Sequence, residues 1–240
     1  MGPAGDGAGR LPGGMRLICR ERRRLPHRET LPGIGWTRRA GPAEGGANMI
    51  QRTASKDFLG FLNGMIAGAD TLLDVGCGPG VLLGAMDARK IVALDVHRPY
   101  LAHVAAHSPL VIPIHADALE IGRLFVPRSF TAVTMVDVLE HLDKKDGYEL
   151  IRQAESIARE RVILFTPRGF FPQASIDHYG LNGEQHQTHR SGWEPEELEA
   201  LGYDILLMEG FHDRSNIAFV EAFGAEHPPI DAMMAIKSLI

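Results

Sequence analysis

Leu72-Leu73-Asp74-Val75-Gly76-Cys77-Gly78-Pro79-Gly80 is an apolar run that ends in three glycines within five positions. A short apolar run stopped by glycine reads as a buried strand, here Thr71 to Val75. Glycine lets the chain turn sharply and lets a ligand approach the backbone. Pro79 suits a first helical position, so a helix is predicted from Gly80 to Asp87.

Working outward, the same alternation repeats. Upstream, Phe58, Phe61, Leu62 and Ile66 have helical spacing. Downstream, strands are predicted at Ile91–Val96, Leu110–His115, Phe130–Val136 and Arg161–Phe165, and helices at Pro99–His107, Asp143–Arg159 and Glu194–Leu201. Tyr203–Met208 and Ile217–Phe223 read as two strands with no helix between them, which predicts an antiparallel addition. Near-continuous apolar strands alternating with helices imply an α/β fold, a doubly wound Rossmann-like sheet covered on both faces. The expected domain spans residues 49–224, followed by an apolar tail, 225–240, without an assigned role.

The chain has 240 residues, 45% of them apolar, which suits one domain with a full core. No apolar run approaches the roughly 20 residues of a membrane span. Nor does the arginine-rich start lead into a secretory apolar stretch. The two cysteines, Cys19 and Cys77, sit in segments too different to suggest a structural disulfide, so a reducing, cytoplasmic setting is expected. The net charge of -5 hides an asymmetry: residues 1–48 hold nine arginines, no lysine and four acids, and the remainder is acidic. An acidic body disfavours nucleic acid as a partner. Residues 1–48, rich in Gly, Arg and Pro, show no periodicity and are expected to be disordered. A nucleic-acid arm or a targeting peptide are the sharper alternatives for that segment, and Met49 stands where globular patterning begins.

A doubly wound sheet binds its ligand beyond the carboxyl ends of its strands. Asp95 closes the second strand, 19 positions after Gly76, where a carboxylate can accept from both hydroxyls of a ribose. Asp117 closes the third and is placed to meet an exocyclic amine of adenine. A nicotinamide dinucleotide would share these features, but its fingerprint wants Gly or Ala where Val81 stands, and Pro79 removes a phosphate-binding N–H. A phosphate-free adenosyl sulfonium fits better, with Asp74 as a nearby carboxylate.

These segments resemble the motifs of class I S-adenosylmethionine-dependent methyltransferases. Leu72 to Gly80 resembles the first motif, Ala93-Leu94-Asp95-Val96 the acidic second, His115-Ala116-Asp117-Ala118 the third, and Val136-Asp137-Val138-Leu139-Glu140-His141-Leu142 the fourth. The resemblance spans roughly residues 55–224. It implies a seven-stranded sheet of order 3-2-1-4-5-7-6 with strand 7 antiparallel. It also implies S-adenosylmethionine as cofactor. The cofactor-binding residues expected are Asp74, Gly76, Cys77, Gly78, Asp95, Val96, Asp117, Ala118 and Val136.

Methyl transfer is an in-line displacement, so acceptor residues should come from the ends of strands 4 and 5 and the loop after them. His141 and His189 are the candidate catalytic residues, since an oxygen or nitrogen acceptor can need a base. Packing or capping is the plainer role for His141. Asp137-x-x-Glu140-His141 also resembles the acid-x-x-Glu-His grouping of certain metal-assisted O-methyltransferases, in which the first residue is Glu. His178, His186 or His189 could complete such a set, but the spacing is loose and no metal is assigned. The loop Thr166–Gly192 is long enough to be functional and reads as a lid over the acceptor. Trp193 reads as the anchor of the next helix, and Phe125, Phe130 and Phe165 as core. The expected function is transfer of a methyl group to O or N of a small molecule. Its rivals are a nicotinamide-dependent oxidoreductase and a catalytically silent cofactor-binding subunit.

Overall fold

A computed structural model describes residues 49–107, 111–173 and 176–240. The expectation for residues 1–48 lies outside them. The elements run β1 (Ile50–Thr53), α1 (Phe58–Ile66), β2 (Thr71–Val75), β3 (Lys90–Asp95), α2 (Arg98–His107), β4 (Val111–His115), α3 (Ile121–Leu124), β5 (Phe130–Val136), α4 (Lys144–Ile157), β6 (Ala158–Pro167), α5 (Pro195–Ala200), β7 (Asp204–His212), α6 (Ile217–Phe223) and β8 (Ile230–Ser238), with short 3-10 turns at Ala118–Glu120, Leu139–His141 and Glu184–His186.

Alternate residues of each strand face opposite sides, and two cores result. Leu73, Val75, Val133, Met135, Val162 and Leu164 pack with Leu150, Ile151, Ala154 and Ile157 of α4. Leu72, Ala132, Ile163 and Phe165 pack with Phe61, Leu62, Met65 and Ile66 of α1 on the other side. The α4 residues recur at helical spacing, so one stripe of that helix is buried.

The sheet order is β1-β7-β8-β6-β5-β2-β3-β4. From β2 to β8 this is the expected seven-strand order, with β8 antiparallel to both β6 and β7. An eighth strand, β1, adds in parallel to the edge at β7. The chain leaves β2 for β3 on one side, and β5 lies on the other. The switch point therefore falls at the carboxyl ends of β2 and β5, which opens a crevice there.

Three expectations are corrected. Gly80–Asp87 forms successive turns rather than a helix. Gly80 has φ +81°, outside helical space. The Asn63 side chain donates to Ala85 O and accepts from Asp87 N, replacing helical bonds. Leu83 and Met86 still reach the core.

Ile217–Phe223 is a helix, not a strand. The Asn216 side chain caps it by accepting from Ala218 N at 3.0 Å. Phe219 is buried while Ile217 is 54% exposed, so its apolar content does not form a strand face.

The closing strand is instead Ile230–Ser238, inside what read as a tail, so the expected domain end at 224 is too early. Ala232, Met233, Met234 and Ala235 are fully buried between β6 and β7. Ala and Met favour strands weakly; position in the sheet centre overrides that preference.

Candidate active site

The crevice is a cleft of about 560 Å³. Asp74, Gly76, Cys77, Gly78, Asp95, Val96, Asp117, Ala118 and Val136 all line it, and so do His141 and His189. The expected cofactor and acceptor residues, drawn from five connections of the sheet, therefore share one space.

The glycine turn divides its labour. A Cβ on Gly76, at φ +70°, would sit 2.5 Å from Val138 Cγ2, and one on Gly80 would sit 2.7 Å from Val104 Cγ2. Those two glycines let the turn pack on the protein. A Cβ on Gly78, at φ +54°, would meet nothing within 4 Å. Its α-carbon faces open cleft, which is a floor left clear for a ligand. Asp95 braces the turn: its two carboxylate oxygens accept from Gly78 N at 2.9 Å and His97 N at 2.7 Å. Each oxygen keeps a lone pair for a sugar hydroxyl. Beside it Val96 is 41% exposed, an apolar surface suited to one face of a base. Asp117 uses one oxygen to cap the turn at Ala118 by accepting from Leu119 N, and its side chain is otherwise exposed to the cleft. These groups fit an adenosine without phosphate.

Asp74 is buried at the end of β2 and accepts from the Thr134 hydroxyl at 2.8 Å. Burial pushes its carboxyl up to about 7, against the Thr134 bond and with help from Asp95. Cys77 is a free thiol, raised by burial and by Asp74 and Asp95, so it is not a nucleophile.

The other end of the cleft is built by the turn after β5 and by the long connection before α5. Asp137 leaves β5 with φ +51°, a strained conformation for a residue with a side chain. That bend turns Glu140 inward. Thr166 donates to its Oε2 at 3.1 Å, while Oε1 is buried without a hydrogen-bond partner. Burial and the Asp137 carboxylate hold Glu140 well above the usual carboxylate range. The Glu140 carbonyl accepts from Arg190 N at 2.7 Å and Ser191 N at 3.1 Å, which clamps His189 next to His141. Their ring centroids lie 4.6 Å apart. Nδ1 of His189 bonds the Phe171 carbonyl at 2.7 Å, and Nδ1 of His141 bonds the Thr188 carbonyl at 3.4 Å. Burial depresses both imidazoles, His141 to about 4, and the proximity of His189 depresses His141 further. Both are neutral near pH 7.

The connection covering the cleft is ordered by its own polar groups. Asp177 accepts from the backbone N–H groups of Tyr179, Leu181 and Gly183. His97 bonds the Leu181 carbonyl at 2.8 Å, and Gln187 donates to the Tyr100 hydroxyl at 3.2 Å. The cover is thus pinned at the β3 end and at the β5 end. Trp193 is fully buried and donates to Ser191 Oγ at 3.1 Å, with Lys144 Nζ 3.8 Å above its ring. It anchors the connection to α4 and takes no part in the cleft lining.

Sequence reasoning missed Thr134, held Thr166 and Phe171 only as part of the lid loop, and missed His212. The last two line the acceptor end of the cleft, their rings 5.3 Å apart. The two threonines had a readable signal: a hydroxyl in a fully apolar strand must find a partner. His212 had none, since its strand is longer than its apolar core.

Residues 72–161 match the sequence profile of the methyltransferase-domain family. Among curated proteins no sequence matches. The fold is similar to that of a SAM-dependent methyltransferase from Archaeoglobus fulgidus, at TM-score 0.50 and 20% identity, covering 76% of this chain and 92% of that one. It is also similar to the N-methyltransferase NodS from Bradyrhizobium japonicum WM9, at TM-score 0.51 and 12% identity, covering 76% and 93%. At these identities the likeness speaks for the fold, while the profile match falls on the segment holding the glycine turn, Asp95, Asp117 and the turn after β5. Residues 72–161 thus match the methyltransferase-domain family, and the sheet that holds them has the fold of S-adenosylmethionine-dependent methyltransferases.

Proposed function

We propose that the chain methylates an oxygen or nitrogen atom of a small-molecule acceptor, with His141 and His189 as its acceptor-side catalytic residues. The observation that carries this reading is the pair of neutral imidazoles at the end of the cleft away from Asp95 and Asp117. When bound, S-adenosylmethionine supplies a methyl group already activated on a sulfonium. The protein then has three tasks: to hold, to align and to exclude water.

Asp95 would hold the sugar hydroxyls, Val96 and Ala118 the faces of the base, and Asp117 its amine. Gly76, Cys77, Gly78 and Val136 would shape the floor, with Asp74 offering negative charge beneath it. The described parts of the connection, residues 168–173 and 176–193, are pinned at both ends of the cleft; they exclude water and bound the acceptor in size. Phe171 and His212 give that end a mixed aromatic and polar wall. The proton lost by the acceptor leaves toward the neutral imidazoles of His141 and His189.

The test is where label goes. From methyl-tritiated S-adenosylmethionine, label should pass into the low-molecular-mass fraction of a cell extract. Label passing into RNA or protein instead would overturn the acceptor class.

A further inference from the structure

We propose that the acceptor is a small molecule with an apolar body and an oxygen head. The body lies in a second cavity, between the connection before α5 and helix α6, and the oxygen accepts from Nε2 of His212. The proposal rests on the methyl-transfer reading for the place of the reacting atom.

The second cavity measures about 360 Å³, inside the range of about 300–1,000 Å³ for small-molecule sites. It lies against the acceptor end of the cleft, since Gln173, His178, His189 and Ala218 line both spaces. None of the residues expected to hold the cofactor lines it. A molecule whose nucleophile stands at His189 therefore has its remainder beside this second space. The other walls are Phe170, Pro172, Ile176, Glu221 and Ala222. Phe170 is 56% exposed and Ile176 40%, so much of their apolar surface has no cover within the protein. Apolar surface gathered round a concavity favours an apolar occupant. Glu221 is the one carboxylate, and no lysine or arginine stands among the described lining residues. A phosphate-bearing body finds no counter-charge there.

The oxygen head follows from the tautomer of His212. Asn216 Oδ1 accepts from Ala218 N at 3.0 Å, so the amide nitrogen is the atom 3.4 Å from His212 Nδ1. An amide nitrogen only donates, so Nδ1 accepts and Nε2 carries the ring proton. Nε2 is buried and has no hydrogen-bond partner. A buried donor left unmet is costly, and His212 lines the cleft beside Phe171. An acceptor oxygen at that wall satisfies it. Helix α6 thus serves both parts of the site. Its cap, Asn216, sets the His212 tautomer. Ala218 and Ala222, one turn apart, give it a face small enough to leave the second cavity open.

The experiment uses full-length chain saturated with S-adenosylhomocysteine and titrated by calorimetry with 2-naphthol and with naphthalene. 2-Naphthol should bind at one equivalent, and about 10-fold more tightly than naphthalene, which lacks the oxygen. His212→Phe keeps a ring and removes the donor, so it should erase that difference. Ala222→Trp fills the second cavity and should weaken both probes by about 10-fold or more. S-Adenosylhomocysteine affinity, measured on the same samples, should stay within about twofold in both variants. Its absence in the parent chain would sink the methyl-transfer reading; its presence without naphthol binding would sink only this proposal. Should a variant fail to fold, crystals of the intact chain soaked with 6-bromo-2-naphthol decide the matter. A bromine peak in the second cavity supports the site. No 2-naphthol binding, equal binding of the two probes to the parent, binding unchanged in both variants, or a bromine peak elsewhere would overturn it.

Discussion

The rings of His141 and His189 meet nearly perpendicular, with centroids 4.6 Å apart, although one residue follows β5 and the other precedes α5. The carbonyl of Glu140 holds them there by receiving the N–H groups of Arg190 and Ser191. Under the proposed function His189 serves the acceptor and not the adenosine end. His189→Ala should therefore leave S-adenosylhomocysteine affinity within about twofold while lowering methyl transfer by about 100-fold or more. Equal losses in both would place His189 in the cofactor site.

The two glycines of the turn should separate by phenotype. Gly76→Ala places a methyl 2.5 Å from Val138 in a left-handed backbone, so it should cost about 2–4 kcal/mol of stability. Gly78→Ala has the same backbone strain but open space in front of it, so its stability loss should be about 1 kcal/mol. Its cofactor affinity should nevertheless fall at least about 10-fold, because the added methyl occupies the ligand's floor. Chemical denaturation and calorimetry on the pair check both halves.

Asp74 gives a pH signature. Its carboxyl titrates near 7 in the folded chain, against 3.8 ordinarily. The folded state therefore binds a proton that the unfolded state has lost. The stability from that proton is complete below pH 3.8 and is lost as pH rises through about 7. Asp74→Asn removes this loss, so between pH 5 and pH 8 the melting temperature of the variant should rise relative to the parent. His212 works in the opposite sense. Burial lowers it to about 4, so stability falls as pH drops from 6.5 toward 4, and His212→Gln should blunt that acid loss. Paired melting curves without ligand read both signs.

Much of this was legible in the sequence because it follows from short-range rules. The continuous burial of β2, β5 and the second half of β6 is visible as apolar runs, and the stripe on α4 as apolar spacing. The glycine turn announces itself through Gly76, Gly78 and Gly80. What escaped depends on neighbours distant in sequence. The buried centre of β8 is Ala and Met, and its slot between β6 and β7 makes it a strand. The turns at Gly80–Asp87 rely on Asn63. Which of His178, His186 and His189 joins Glu140 and His141 depends on how the connection before α5 folds back, which spacing in the chain does not encode.

Trp193 offers a check on that folding back. A Cβ on Gly147 would lie 2.5 Å from Trp193 Cζ2, so the α4 backbone and the indole are in close contact. Gly147→Ala should improve helix propensity yet lower stability by about 1–3 kcal/mol, because the indole must shift. A displaced tryptophan should also redden the fluorescence. Unchanged stability would mean that the connection is held by other contacts.

The most direct measurement is calorimetry of the full chain with S-adenosylhomocysteine and, separately, with NAD. One equivalent of S-adenosylhomocysteine should bind, and NAD should give no heat of binding. Asp95→Ala should weaken the former by about 1–3 kcal/mol through loss of a charged acceptor for the sugar. Binding of NAD in place of S-adenosylhomocysteine, or full affinity without the Asp95 carboxylate, would contradict the account.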